Sequence, residues 1–306
     1  MYDIIIVGAG PAGLTAAIYG RRASKSVLVL EAKSYGGQII NTPDIENFPA
    51  AMHISGFDFA TKLYEQAKEL GAEIRFEKVT GISDEGDHKT VTTKKNSYEA
   101  KALILATGSE NRKLGLENED KLVGRGISYC AACDGSFFRG KTVAVVGGGN
   151  TALEDALYLA DIAETVYLIH RRDSFRGEDA TAERLKAREN VKFVYNSNVT
   201  KLNAENKLQS IEITNKNGEV STLEVNGLFV AVGRIPENQN FAPLIRLDES
   251  GYIVAGENCR TNVPGIFAAG DNRVKTVRQL VTAASDGAVA AAEAIKYIND
   301  RYLKIT

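Results

Sequence analysis

The chain alternates short, nearly uninterrupted apolar runs with amphipathic stretches, the pattern left by strands covered on both faces and the helices that cross between them. Residues 2–7 predict a first strand, 11–23 a helix and 26–30 a second strand closed by Glu31. The series starts again at 141–146, a strand, followed by a helix over 151–160. Residues 103–109 and 228–234 each end a stretch of alternating strands at a glycine, Gly108 and Gly233. The halves differ mainly by extra loop in the first, so two related α/β lobes are expected. Polar stretches at 109–113 and 236–240 carry no periodic apolar residues and read as crossings between lobes. The tail from 243 holds one short strand pattern and one long helical segment, 278–298, too little for a domain of its own. It is expected to complete the first lobe, giving a discontinuous 1–112 plus 242–306 with 113–241 inserted.

Between the first strand and helix stands Gly8-Ala9-Gly10-Pro11-Ala12-Gly13, in the strand, turn and helix context that a dinucleotide fingerprint requires. Its glycines serve a tight turn, a close backbone approach to pyrophosphate and tight helix packing, with the pyrophosphate resting on the free amides of the helix start. Glu31 is placed to accept from a ribose 2′-hydroxyl, and its charge would repel a 2′-phosphate. This loop predicts FAD or NAD. Gly147-Gly148-Gly149-Asn150-Thr151-Ala152 repeats the pattern, and His170 stands as far beyond Gly147 as Glu31 beyond Gly8. Arg171, Arg172 and Arg176 follow it. Arginine forks suit a phosphate and no carboxylate opposes them, so the second loop is expected to prefer NADPH over NADH. In the tail, Gly265-Ile266-Phe267-Ala268-Ala269-Gly270-Asp271 reads as a strand ending on a carboxylate able to accept from sugar-chain hydroxyls. The helix beyond it would aim its positive end at a bound cofactor.

Composition narrows the field. The 306 residues are 44% hydrophobic and 25% charged, ordinary for a globular chain of two domains, and a net charge of −2 gives no reason to expect nucleic acid. The first strand begins at residue 2 and no apolar run approaches a membrane span, so neither signal peptide nor membrane partner is expected, and a cytoplasmic location is. Three cysteines in such a chain argue for a redox dithiol, not a structural disulfide framework, and the close pair is Cys130-Ala131-Ala132-Cys133. Zinc would need further ligands near that pair, and Cys259, His53, His88 and His170 lack ligand spacing, so no metal is expected. Cys259 reads as a buried or incidental thiol and not as a third redox partner. Two dinucleotide loops and a dithiol suit electron transfer between them; a nucleotide-binding sensor of thiol state is the alternative from another class.

Taken in order, the segments 8–23, Gly36-Gly37-Gln38-Ile39, Tyr129-Cys130-Ala131-Ala132-Cys133-Asp134-Gly135, 147–159, 170–176 and 265–271 resemble the low-molecular-weight, bacterial-type thioredoxin reductases over essentially the whole chain. The Cys-x-x-Cys-Asp segment ahead of the second loop is the most specific, since relatives of the glutathione-reductase type carry their dithiol in the first lobe. The resemblance implies two Rossmann-like, three-layer ββα domains, the second inserted in the first, in a homodimeric FAD enzyme. FAD would lie on Gly8, Gly10, Pro11, Ala12, Gly13, Glu31, Gly37, Gln38, Asn47, Thr107, Gly108, Gly270, Asp271, Arg278 and Gln279. NADPH would lie on Gly147, Gly149, Asn150, Thr151, Ala152, His170, Arg171, Arg172 and Arg176. By the same resemblance Cys133 is nearest the flavin, Cys130 attacks the substrate disulfide, and Asp134 is the acid or base that protonates the departing thiolate; a helix N-cap is its compatible structural reading. The implied partner is thioredoxin or a similar small dithiol protein, and the lobes would rotate about segments near 112–118 and 238–244.

The runner-up is an NADPH- or ferredoxin-linked flavoprotein reductase or oxidase with a different acceptor. Ferredoxin-fed relatives lose the phosphate-binding arginines and ferredoxin–NADP reductase relatives lack the dithiol, so the residues present speak against both. The chain departs from the family at Pro49-Ala50, where Pro-Gly is common, and at Gly177, where alanine is, which leaves the shape of those two loops open.

Overall fold

In β1 (Tyr2–Val7) the side chains part by parity: Ile4 and Ile6 pack into one buried cluster and Ile5 and Val7 into another on the opposite face. Successive residues of a strand point to opposite faces, so a strand covered on both sides has no polar position to show. The computed structural model describes residues 1–302, and the chain divides into two units, Met1–Glu110 with Ile235–Thr306, and Asn111–Arg234. Residues 303–306 of the closing segment lie outside the described residues.

In the first unit β1 pairs in parallel with β2 (Val27–Glu31) and β6 (Ser97–Leu105), and β2 with β3 (Glu73–Phe76). The early part of β6 pairs antiparallel with β5 (Lys89–Thr93), which continues to β4 (Val79–Asp84). At Leu103, Ile104 and Leu105 the same side of β6 is taken by the parallel strand β17 (Ile266–Ala268), the short strand of the tail. Helices α1 (Pro11–Arg22) and α7 (Leu280–Tyr302) share a buried cluster on one face of the sheet, and α7 comes so close that a Cβ on its Gly287 would lie 2.2 Å from the Ala12 carbonyl oxygen. Helix α2 (Gly56–Glu69) starts at Ser55, whose hydroxyl accepts from the Asp58 N–H at 3.0 Å.

The second unit repeats the scheme. Val143 and Val145 of β9 (Thr142–Gly147) face α5 (Asn150–Ala160) and its cluster, while Ala144 and Val146 face an antiparallel layer. Its sheet runs β11 (Val191–Val194), β10 (Thr165–Ile169), β9, β15 (Gly227–Ala231), β8 (Ile127–Ser128), all parallel. The layer on the other face is a meander of β12 (Ser197–Ala204), β13 (Leu208–Asn215) and β14 (Val220–Glu224). Short helices α3 (Glu119–Leu122) and α4 (Ala131–Asp134) precede β9, and α6 (Asp179–Lys186) follows β10. Both units are Rossmann-like, the second inserted in the first.

At the crossings β7 (Ser109–Asn111) pairs with β16 (Arg234–Pro236). The chain re-enters the first unit at Ile235, earlier than the expected 242. The stretch 236–240, expected from its lack of periodic apolar residues to be a crossing between lobes, lies within the first unit. Its Asn238 is in fact 0% exposed and donates to the carbonyl oxygens of Gly251 at 2.9 Å and Asn272 at 2.8 Å. A buried amide with its hydrogen bonds made is indistinguishable in sequence from a solvated one. Helix α7 likewise starts at Leu280, after Arg278 and Gln279. Among the described residues no helix is long and apolar enough to cross a membrane.

Candidate functional site

In the first unit α1 starts on Gly10 with no side-chain cap and no acid in its first turn, which leaves its leading amides for an outside acceptor. A Cβ on Gly13 would lie 1.9 Å from the Gly8 carbonyl oxygen, so only glycine lets α1 start this close to β1, whereas a Cβ on Gly10 would meet nothing within 4 Å. That open space before uncapped amides fits a pyrophosphate. Glu31 reaches back to the loop, its Oε2 accepting the Ala9 N–H at 2.7 Å and its Oε1 the Lys33 N–H at 2.8 Å. The Gly36 N–H donates to the Ala9 carbonyl at 2.8 Å, which sets Gly37 beside Gly10 and places Gln38 on the same loop. Asn47 and Gln279, far apart in sequence, meet through Asn47 Nδ2 donating to Gln279 Oε1 at 3.3 Å. Thr107, next to Gly108, donates to Asn238 Oδ1 at 3.2 Å and accepts from Asn272 Nδ2 at 3.2 Å. The guanidinium of Arg278 lies 4.3 Å from the centre of the Tyr252 ring, and its buried Nε makes no hydrogen bond.

Gly270 and Asp271 hang from a buried ionic centre that sequence reasoning missed. Asp286 of α7 accepts from Arg273 Nε at 2.8 Å, Arg273 Nη2 at 2.7 Å, Lys275 Nζ at 2.9 Å and the Gly270 N–H at 2.9 Å. Burial works against its ionised form and is outweighed by Arg273, then Lys275, so the carboxyl is held below the ordinary aspartate value. The one available signal was an acid in the alanine-rich stretch 283–291 of a helix buried along that face. Cys259 lies against this centre, its Sγ donating to the Asp286 main-chain oxygen at 3.6 Å. Burial, then the charge of Asp286, pushes its thiol up to about 12, which makes it inert as a nucleophile.

The departure at Pro49-Ala50 resolves into a tight turn. The Ala51 N–H donates to the Phe48 carbonyl at 3.1 Å, with Pro49 at the second position and Ala50 at the third with φ of 65°. This is a type II turn, whose third position favours glycine, so the alanine is held in the left-handed region at a cost of about 1 kcal/mol. Nearby, Asp44, Glu46 and His53 are the one group of three ligand-type side chains that converge among the described residues, and an Asp44–His53 contact of 3.1 Å on an exposed loop accounts for it.

In the second unit α5 starts on Gly149, again with no side-chain cap and no acid in the first turn, and a Cβ on Gly149 would meet nothing within 4 Å. The basic segment is fastened to this loop: the Arg176 N–H donates to the Gly148 carbonyl at 2.7 Å and the Glu178 N–H to Asn150 Oδ1 at 2.8 Å. Gly177 packs where a Cβ would lie 2.6 Å from Leu153 and 2.9 Å from Asn150 Oδ1, so here glycine lets the segment sit closer to α5. The cluster itself divides. Arg171, Arg172 and Arg176 are exposed, but His170 is only 3% exposed, its ring set against Gly148 and stacked on Phe175. Burial pushes its imidazole down, the Ser174 backbone opposes, and the arginines push it further down, so His170 is neutral at pH 7 and shapes the loop from beneath. The cationic face is left to the three arginines.

Cys130 and Cys133 form a disulfide at the start of α4, with Cα atoms 5.3 Å apart. Asp134 closes α4 and stands at the N-cap position of the short 3-10 helix Gly135–Phe138, where its side chain makes no capping hydrogen bond; the cap position of α4 itself belongs to Cys130. The Asp134 Oδ2 accepts from the Ser128 hydroxyl at 2.6 Å, and that hydroxyl accepts the Cys130 N–H at 3.1 Å. Burial raises the Asp134 carboxyl and outweighs the Ser128 hydrogen bond, which keeps the proton on to higher pH than usual. Buried Glu119, also unforeseen, accepts the N–H groups of Leu114 and Gly115 at 2.9 Å and 2.8 Å and the hydroxyl of Tyr129 at 2.8 Å, tying the crossing segment to the residue before Cys130.

One unit shaped for a dinucleotide and a second carrying a further nucleotide loop and a disulfide define a nucleotide-linked dithiol oxidoreductase. Residues 2–288 match the pyridine nucleotide-disulphide oxidoreductase family. A thioredoxin reductase of Listeria innocua is 43% identical over 98% of this chain and 95% of its own. Thioredoxin reductase of Streptococcus pyogenes is 41% identical, with TM-score 0.94 over 98% of this chain and 99% of that one. The Lactococcus lactis enzyme, solved in what is called its FR conformation, is also 41% identical over 98% of this chain and all 100% of that one, with TM-score 0.68. The chain belongs to the pyridine nucleotide-disulphide oxidoreductases and, among them, to the thioredoxin reductases. It is therefore an oxidoreductase that works with a flavin and a pyridine nucleotide.

Proposed function

We propose that this chain reduces the disulfide of thioredoxin or a similar small dithiol protein, with FAD in the first unit and NADPH as electron source on the second. The observation that carries the reading is the Cys130–Cys133 disulfide beside a protonated-side Asp134, on the same unit as a nucleotide loop flanked by three exposed arginines. The residues fit both groups: uncapped helix starts before open space, Glu31 for a ribose without a 2′-phosphate, and Arg171, Arg172 and Arg176 for one with it. FAD, when bound, supplies two-electron exchange between a reduced nicotinamide and a disulfide. Cys130 then attacks the partner disulfide as a thiolate, Cys133 attacks the resulting mixed disulfide, and Asp134 protonates the departing thiolate.

NADPH preference is tested by the Arg171→Ala, Arg172→Ala double variant. Each lost charge-assisted contact is worth about 1.5–3 kcal/mol, so kcat/KM for NADPH is expected to fall about 10²-fold or more with that for NADH unchanged. Equal losses with both nucleotides in anaerobic flavin-bleaching titrations would remove the assignment.

The dithiol and the NADPH loop share one unit, and both must serve a flavin on the other, so the reading includes rotation of the units about the crossings after Glu110 and before Ile235. Two relatives of equal identity that overlay on the chain with TM-scores of 0.94 and 0.68 support it. A reversible cross-link between the units is expected to stop multiple turnover and release it on cleavage; turnover at the parent rate while cross-linked would refute the rotation.

A further inference from the structure

Beside the dithiol lies a hydroxyl that the chemistry above does not use. Ser128 ends β8, in register with Phe229 of β15, and is only 3% exposed. Its Oγ lies 2.6 Å from Asp134 Oδ2 and 3.3 Å from the Cys130 carbonyl oxygen, and it accepts the Cys130 N–H at 3.1 Å. One hydroxyl proton serves one acceptor well, and the shorter contact takes it, so Ser128 donates to Asp134 Oδ2. The Cys130 carbonyl is taken up instead by the N–H groups of Cys133 at 3.3 Å and Asp134 at 3.1 Å. The other carboxyl oxygen, Asp134 Oδ1, is buried and makes no hydrogen bond among the described residues.

A buried oxygen without a hydrogen bond is costly, and a catalytic role is one reason for a fold to keep one. A neutral carboxyl carries a single O–H. With Oδ2 engaged as the acceptor of the Ser128 hydroxyl, that proton falls to Oδ1. We propose that Ser128 is a positioning residue for Asp134, pinning Oδ2 so that Oδ1 is the atom that holds and delivers the proton. The inference rests on Asp134 being the acid of the reaction proposed above, and adds which of its oxygens acts and what fixes it.

In the step concerned, the Cys133 thiolate attacks Cys130 Sγ of the mixed disulfide. The Cys130–Cys133 bond forms as the bond from Cys130 to the partner sulfur breaks. The electron pair of the broken bond leaves on the partner sulfur, which takes the Oδ1 proton, so the partner is reduced and the dithiol is left oxidised. The carboxylate that remains keeps the Ser128 hydrogen bond, which favours the ionised form against burial. Because the same hydroxyl accepts the Cys130 N–H, the acid is tied to the backbone of the attacking cysteine.

A double-variant cycle tests this. With NADPH as donor and an oxidised bacterial thioredoxin as the probe, kcat and KM per bound flavin are measured for the parent, Ser128→Ala, Asp134→Asn and the pair. Ser128→Ala is expected to lower kcat about tenfold, the worth of one hydrogen bond to an ionisable group, with KM for the probe within about twofold. Asp134→Asn is expected to lower kcat about 10²-fold or more, as loss of a general acid does. Adding Ser128→Ala to it should change kcat by less than about twofold, because a residue that acts through another has nothing further to lose. A second full loss in the Asn background would place the effect of Ser128 on the Cys130 backbone and overturn the proposal, as would Ser128→Ala at the parent kcat. Asp134→Asn at the parent rate is a separate result: it removes the acid reading itself, and the proposal with it.

Discussion

Cys133→Ser is expected to lower turnover with a protein disulfide by more than about 10³-fold while anaerobic flavin reduction by NADPH stays within about twofold of the parent. Cys130 in this variant still attacks the partner, forming a mixed disulfide and expelling one partner thiolate. The next step needs the Cys133 thiolate to attack Cys130 Sγ and expel the second, and a serine oxygen does not do so at neutral pH. A covalent partner adduct should therefore accumulate on a non-reducing gel and vanish with added thiol. Cys130→Ser should lose turnover as fully but form no adduct, because the attacking sulfur is gone. Buried Cys259 does not replace either, since burial and Asp286 hold its thiol up at about 12. Substantial turnover in Cys133→Ser, or equal adduct in both variants, would reverse the assignment of the two sulfurs.

Asp286→Ala is expected to destabilise the protein by about 3–5 kcal/mol, the cost of leaving buried charges unpaired, and to lower the melting temperature by roughly 10 °C. Arg273 is 2% exposed and Asp286 6%, so neither Arg273 nor Lys275 gains water when the carboxylate goes. The same change frees the Gly270 N–H and with it the loop carrying Asp271, so flavin should be released at lower temperature, ahead of the loss of secondary structure. Asp286→Asn keeps an acceptor for Gly270 and should fall between. The pH dependence follows from the depressed carboxyl: its stabilisation is present above the ordinary value of 3.8 and is lost as pH falls below it, and the alanine variant should lack that acid-side loss. Melting followed jointly by flavin fluorescence and circular dichroism decides; a variant within about 1 kcal/mol of the parent would show that the centre is dispensable.

The parts of this protein written by local rules were readable from the chain. An apolar run such as 2–7 needs only strand parity and two covered faces, and the helix after it needs only the Gly8 to Gly13 pattern, because the steric demands there fall between residues close in sequence. The same holds for β9 and α5, for the cysteine pair at α4, and for the inserted order of the units, which follows from a tail too short to stand alone.

What the chain alone left open were contacts between residues distant in sequence. Nothing local marks Asn238 as buried rather than solvated, Asp286 as the anchor of Gly270, or Glu119 as the clamp on Leu114 and Gly115. His170 shows the same limit from the other side: its place beside three arginines marks it as part of a cationic patch, and only the packing of its ring on Gly148 makes it a neutral wedge. Local sequence determined which elements form and which helix starts are left uncapped, since backbone geometry and periodicity act over a few residues. The tertiary structure decided the charge states and the anchors, because desolvation and pairing depend on what the rest of the chain brings alongside.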